Sequence, residues 1–214
     1  ILLPLHAGSE ASISAKTYTN TLAVLILLAD ALAGNDNVGT SGLLMEAAVS
    51  MERSMSSLAE RACTATGRFG DIRALHVVAR GSDLVTAYQL ALIIKEGAGT
   101  PAEALSAGLF RHGPLELAGP GHSAILFVSA GNEPRLTVSL AHDLAEAGST
   151  VLAVSDSPDY DLEGIDTVVI EAPERRIFPI LCAPFIELFV HETAKRAGRE
   201  AGVFRRISKV TARE

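Results

Sequence analysis

The sequence predicts an α/β protein whose parallel sheet is covered by helices on both faces. Three observations carry that expectation. Short apolar or β-branched runs recur at 74–79, 122–129, 150–154 and 165–172. Helical patterns lie between and after them, at 83–96, 134–147 and 178–196. The strand candidates are also apolar almost throughout, as expected where both faces of a sheet are buried.

The chain before this alternation reads differently. Ile1 to Leu5 has the pattern of the end of a buried strand, with a loop following to Ser14. Because Ile1 is not Met and falls inside that strand pattern, a longer parent chain is expected. Lys16 to Leu32 is helical and apolar nearly all round, which predicts packing on both sides. The polar stretch Asn35 to Ser41 should break the chain, and an amphipathic helix should follow over 42–66. Further on, Gly97-Ala98-Gly99 stops the 83–96 helix. Residues 155–161 and Pro173 read as loops, and 202–214 as a tail without periodicity.

With 214 residues, 48% of them hydrophobic, the chain can bury one substantial core, or one domain and a fragment of another. A net charge of -7 argues against nucleic acid and anionic membrane surfaces as partners. The apolar run Leu22 to Ala29 ends at Asp30, well short of a membrane span. Cys63 and Cys182 lack metal-ligand spacing and read as reduced thiols of a cytoplasmic protein. No metal or cofactor is expected.

Two candidate proton-moving groups lie in the middle of the chain and a third near its end. Glu96 closes a helix, where the negative end of the dipole disfavours an ionised carboxylate and partial burial acts the same way. Such a group suits proton shuttling between adjacent carbons. His112 precedes Gly113-Pro114 and so belongs on a turn, with a titration range suited to opening a sugar ring. Lys209 follows Arg205 and Arg206, cations that favour the free amine needed for a Schiff base. Taken singly, each also fits a solvated surface group. Arg80-Gly81-Ser82 lies between strand and helix, a place where α/β proteins bind phosphate on helix amides. The loop 129–134 after the next strand carries Glu133 and Pro134 where a phosphate cradle needs hydroxyls and free amides, so it should not bind phosphate.

In order and spacing these motifs resemble the sugar isomerase (SIS) family, and within it the isomerase half of the glucosamine-6-phosphate synthases and their double-SIS relatives without a glutaminase. The motifs are Ala7-Gly8-Ser9-Glu10 with Lys16-Thr17-Tyr18-Thr19, then Ala79-Arg80-Gly81-Ser82 and Lys95-Glu96. Arg111-His112-Gly113-Pro114 and Ile207-Ser208-Lys209-Val210-Thr211 complete the set. The resemblance implies a three-layer αβα sandwich on a five-stranded parallel sheet. It divides the chain into the end of a first SIS domain (1–35) and a second SIS domain with its tail (36–214). It also implies that Glu96 shuttles the isomerisation proton, that His112 opens the ring in a neighbouring subunit's site, and that Lys209 forms the Schiff base. The backbone of Ile13, Ser14 and Ser208 would line the sugar.

Some family features are missing. Ile93 stands where the synthases have a second lysine, and Gln89 lies near an acidic position. The hydroxyl-rich S-x-S-G-x-T phosphate loop does not occur in this chain. The expected function is a sugar-phosphate or amino-sugar-phosphate isomerase, or an aminotransferase-like or deaminase-like enzyme, acting as a homodimer on a phosphorylated sugar. The alternative is a non-catalytic phosphosugar-binding module, a sensor or an assembly part.

Overall fold

The computed structural model describes residues 2–206. Helix α1 spans Lys16–Leu32 and α2 spans Asn37–Phe69. The alternating part follows: β1 (Leu75–Ala79), α3 (Leu84–Gly97), β2 (Ala102–Ser106), α4 (Ala107–Arg111) and β3 (Ser123–Val128). It continues with α5 (Pro134–Glu146), β4 (Thr150–Ser155), β5 (Asp166–Val169), α6 (Phe178–Leu181) and α7 (Ala183–Arg196). All strand pairs are parallel, in the order β2-β1-β3-β4-β5.

The period of two along each strand explains the unbroken apolar runs. Leu75, Val77, Ile125, Phe127, Leu152 and Val154 face one core, which they share with α2, α3 and α7. Val78, Ala124, Leu126, Val151 and Ala153 face the other, covered by α4 and α5. In α7 the ring of Phe189 is fully buried and meets Phe69 edge-on, at 5.7 Å between centroids. This three-layer αβα sandwich is the predicted fold class.

Several elements depart from the sequence reading. Residues 2–5 form no strand: no described sheet strand pairs with them, and Leu2 and Leu3 are exposed. The break between the first helices is shorter than Asn35 to Ser41, because the Asp36 carboxylate accepts from the Val38 amide at 3.0 Å and starts α2 at Asn37. Strand β2 and helix α4 were not legible as elements, since an edge strand with the alternating residues Ala102, Glu103 and Ala104 lacks an apolar run. The last helix is divided at Cys182, because Pro184 has no amide to bond the Ile180 carbonyl. Helix α1 is covered on one side only among the described residues: Leu25 and Leu32 are exposed, and Tyr18 and Asp30 are its buried positions. It is held by polar contacts, with Tyr18 bonded to Thr86 at 3.2 Å and Asp30 paired with Arg176 at 2.6 Å. The Thr40 hydroxyl and then the Arg176 guanidinium hold the Asp30 carboxyl below its ordinary range.

At the N-terminal ends of the strands, His76 Nδ1 and His122 Nε2 lie 3.0 Å apart, and His122 Nδ1 is 3.0 Å from the Ser149 hydroxyl. Burial lowers the proton affinity of both rings, and the His76 charge lowers that of His122 further. The other groups facing the pair are the Phe110 ring and Glu103, 3.8 Å from His76. A histidine whose folded-state affinity is depressed favours the unfolded chain once protonated. Stability should therefore be full above the ordinary histidine range and fall as the pH drops through it. Urea denaturation at stepped pH should show that fall, and it should shrink in His76→Gln. By the same measurement at neutral pH, Phe189→Ala should cost about 3–5 kcal/mol through the cavity it leaves.

Candidate active site

The site is built from one stripe of α3. Gln89, Ile93 and Glu96 recur at helical spacing and so fall on one face. The Gln89 amide donates to the Ser14 carbonyl at 2.6 Å, a bond that an ionised carboxylate at that position could not make. Ile93 is fully buried, and Glu96 is half-buried in the last turn. Immediately after it, a Cβ on Gly97 would lie 2.7 Å from Val190 and 3.1 Å from Ile13. Only glycine lets α3, α7 and the N-terminal loop meet there. Glu96 is thus presented on the wall of a cavity of about 560 Å³, together with Lys95, Arg199, Glu200, Phe204 and Arg206.

A second cavity, of about 370 Å³, lies along the same stripe at Ile93 and is lined also by Ser12, Ile13, Glu187 and Gly202. Glu10 braces its wall. One of its carboxylate oxygens accepts from the Ala15 and Thr17 amides, both at 2.8 Å, and the other accepts from the Thr17 hydroxyl at 2.9 Å. These bonds satisfy amides at the start of α1 from outside the helix. Lys16 adds a bond from its ammonium to the Ser9 carbonyl. Ile13 and Ser14 therefore belong to a fixed backbone segment that touches the α3 stripe.

The remaining expected residues are not gathered there. His112 is the exposed C-cap of α4, ahead of Gly113 at φ +140°, and does not line either cavity. Its neighbour Arg111 is tied to Asp143 at 2.7 Å. Ser208 and Lys209 lie outside the described residues. Among the described residues, no three His, Cys, Asp or Glu side chains are grouped to hold a metal ion.

At the topological switch point between β1 and β3, where open α/β sheets commonly bind ligands, the crevice is filled by its own side chains. A Cβ on Gly81 would lie 2.1 Å from the Asn132 amide oxygen, and that side chain bonds Ser82 at 3.2 Å and Ser129 at 3.1 Å. Ser129 donates to Asp83 at 2.5 Å, and the Ala130 amide is taken by Asp156 at 2.8 Å. Burial raises the Asp83 carboxyl above its ordinary range. The Ala130 amide and the space over Gly81 are thus already taken by the protein's own side chains.

Three residues of the site escaped the sequence reading of roles. Gln89 could have been found from its spacing to Glu96. Glu187 carried a signal as the one charge inside Phe185-Ile186-Glu187-Leu188-Phe189. Arg199 carried none, because its place depends on how the chain turns after α7. Burial first, and the Glu10 charge second, push the Glu187 carboxyl up to about 7. A raised carboxyl contributes its stability at pH below the unfolded value, near 4.5, and loses it as the pH rises through the folded one. Glu187→Gln should thus be more stable than the parent at pH 8, by on the order of 1–2 kcal/mol. The difference should vanish near pH 4, as read by denaturant midpoints.

Comparison with known proteins agrees with this architecture. The SIS domain family model matches residues 71–193, more than half of the chain. A glutamine–fructose-6-phosphate aminotransferase (isomerizing) of Thermococcus kodakarensis is 28% identical over 220 residues, covering 95% of this chain and 35% of its own length. This chain therefore spans about a third of that relative. Among solved structures, the C-terminal domain of glucosamine-fructose-6-phosphate aminotransferase from Francisella tularensis has a TM-score of 0.79 at 20% identity, covering 92% of this chain and 58% of that one. Glucosamine-6-phosphate deaminase from Thermotoga maritima has a TM-score of 0.68 at 18% identity, covering 94% of this chain and 58% of that one. The five parallel strands in the order β2-β1-β3-β4-β5, with the family match across them, make this chain a member of the SIS domain family.

Proposed function

We propose that the chain supplies the acid–base half of a phosphosugar enzyme, an isomerase or an aminotransferase-like or deaminase-like relative. The observation that carries this reading is Glu96, half-buried on a cavity wall at the end of a helix whose stripe also grips the Ser14 backbone. In this reading Glu96 moves a proton between adjacent sugar carbons, and the Ile13 to Ser14 backbone lines the sugar. Residues 36–214 form a second SIS domain, and residues 1–35 close a first one that brings the phosphate loop. The uncovered side of α1 faces that first domain. His112, exposed at the end of α4, serves the neighbouring subunit of a cytoplasmic homodimer, and Lys209 forms the Schiff base where amination is involved.

A second reading is favoured by Ile93. A fully buried isoleucine occupies the position where the synthases have a lysine, so one proton carrier is missing from the stripe. A phosphosugar-binding module without turnover would tolerate that.

The full-length protein, assayed with hexose 6-phosphates with and without ammonia and with amino-sugar phosphates, should turn over at least one of them. Glu96→Gln should lower kcat by about 10²–10⁴-fold. Unchanged kcat in that variant would remove Glu96 from the chemistry. Thermal stabilisation by a phosphosugar with no product formed would establish the second reading instead.

A further inference from the structure

The histidine pair at the N-terminal ends of the strands is joined to the excursion that carries His112. That excursion leaves β2 through α4, passes the turn at His112 and Gly113, and returns to β3 at His122. Near its start, the fully buried Phe110 ring meets His76 edge-on at 5.3 Å between centroids and lies 6.0 Å from His122. Near its end, the Gly119 amide donates to the Ser149 hydroxyl at 3.1 Å, the same hydroxyl that lies 3.0 Å from His122 Nδ1. Both ends therefore close on one pair of rings, while His112 between them is exposed.

Hydrogen bonding orders the protons of the neutral pair. The Glu103 carboxylate, 3.8 Å from His76 Nε2, favours the tautomer with its proton on that nitrogen. His76 Nδ1 is then an acceptor, so His122 Nε2–H donates to it across 3.0 Å, and His122 Nδ1 accepts from the Ser149 hydroxyl. A first added proton can sit on His122 Nδ1, with the Ser149 oxygen turned to accept from it as well as from Gly119. A second has only His76 Nδ1, where it would face the His122 Nε2–H. Two donors cannot share that line, and two imidazolium charges so close repel. The contact survives one added proton and not two. Glu103 of β2 is the one charged group facing the pair among the described residues. Arg111 of α4 is turned away, to Asp143 at 2.7 Å and Ser139 at 3.2 Å on α5. Burial opposes a charge on His76 more strongly than Glu103 favours it.

We propose that the His76–His122 pair is an acid-sensitive latch on residues 107–121, holding the excursion until both rings are charged and then releasing it. Opening the pair separates the rings against which Phe110 packs and draws His122 away from Ser149, to which Gly119 is tied. His112 is thereby held in place above the ordinary histidine range and loosened below it. The latch itself needs no ligand, whereas its control of turnover rests on the role given to His112 above.

Hydrogen exchange of the full-length protein, read as protection factors corrected for the intrinsic effect of pH, tests this. Between about pH 7.5 and about pH 5, protection over 107–121 should fall tenfold or more while α5 keeps its own. His76→Asn leaves an acceptor near the place of Nδ1 and cannot take up a proton, so its protection should not change with pH. Glu103→Gln, an exposed substitution, should move the fall to lower pH, because the charge that favours protonated His76 is gone. Thermal midpoints at neutral pH show whether the variants fold, and if His76→Asn does not, the shift in Glu103→Gln decides. Equal protection at the two pH values in the parent protein would overturn the latch, as would an equal fall in a folded His76→Asn or a fall shared by α5. Where a phosphosugar is turned over, the acid limb of kcat should move with the latch in Glu103→Gln, and a limb that stays would overturn the control of turnover. A pH-sensitive 107–121 segment in a protein without turnover leaves the latch standing and removes the enzyme reading. Turnover with a pH-insensitive segment leaves the enzyme standing and removes the latch.

Discussion

The close approach of α3, α7 and the N-terminal loop at Gly97 is the contact on which the site depends. Without a side chain at that residue, Val190 of α7 and Ile13 of the loop can both reach the last turn of α3. A methyl group would force the helices apart or push the loop away. The same loop carries the Ser14 carbonyl that Gln89 holds, and the same helix end carries Glu96 on the cavity wall. The packing of the large core shared by α2, α3 and α7 is thereby coupled to the position of one carboxylate.

Charge is distributed in opposite senses at two openings of the same sheet. At the switch point the acidic groups Asp83 and Asp156 are turned inward, bonded to Ser129 and the Ala130 amide, and Asn132 fills what space is left. At the far end of α3 the described residues leave a cavity, and the guanidinium of Arg199 on its wall has no protein partner among them. The first arrangement ties Ser129, Asn132 and the Ala130 amide to one another and to Asp83 and Asp156, yet leaves Asp83 Oδ1 buried without a hydrogen-bond partner among the described residues. The second leaves the half-buried Arg199 guanidinium open to water.

The layered fold was legible because strands buried on both faces are apolar at every position, and helices between them keep a separate period. The place of Glu96 at the end of a helix was legible from Gly97-Ala98-Gly99, whereas the filling of the switch-point crevice by Asn132 was not. What escaped was decided at a distance in sequence. Strand β2 exists because β1 offers it an edge, and its own residues are too small and too polar to announce it. The missing strand over residues 2–5 is the reverse case: an apolar run that pairs with no described strand. The break at Cys182 follows from Pro184, which is tolerated in the first turn of α7 but cannot carry a helix through from α6. His112 was placed correctly on a turn, yet nothing in a local pattern says that its turn lies away from the cavities at α3.

The Glu10 bracket bears on how quickly a ligand could be accommodated. Its carboxylate closes the chain from Glu10 to Thr17 into a hydrogen-bonded ring, and Gln89 pins the same segment from the side. Fixing a residue's backbone costs roughly 1–2 kcal/mol in lost conformational freedom. For Ile13 and Ser14 that loss is incurred when the protein folds, long before any encounter. A sugar arriving at this wall would meet a preorganised surface, and association need not wait for a loop to find its shape.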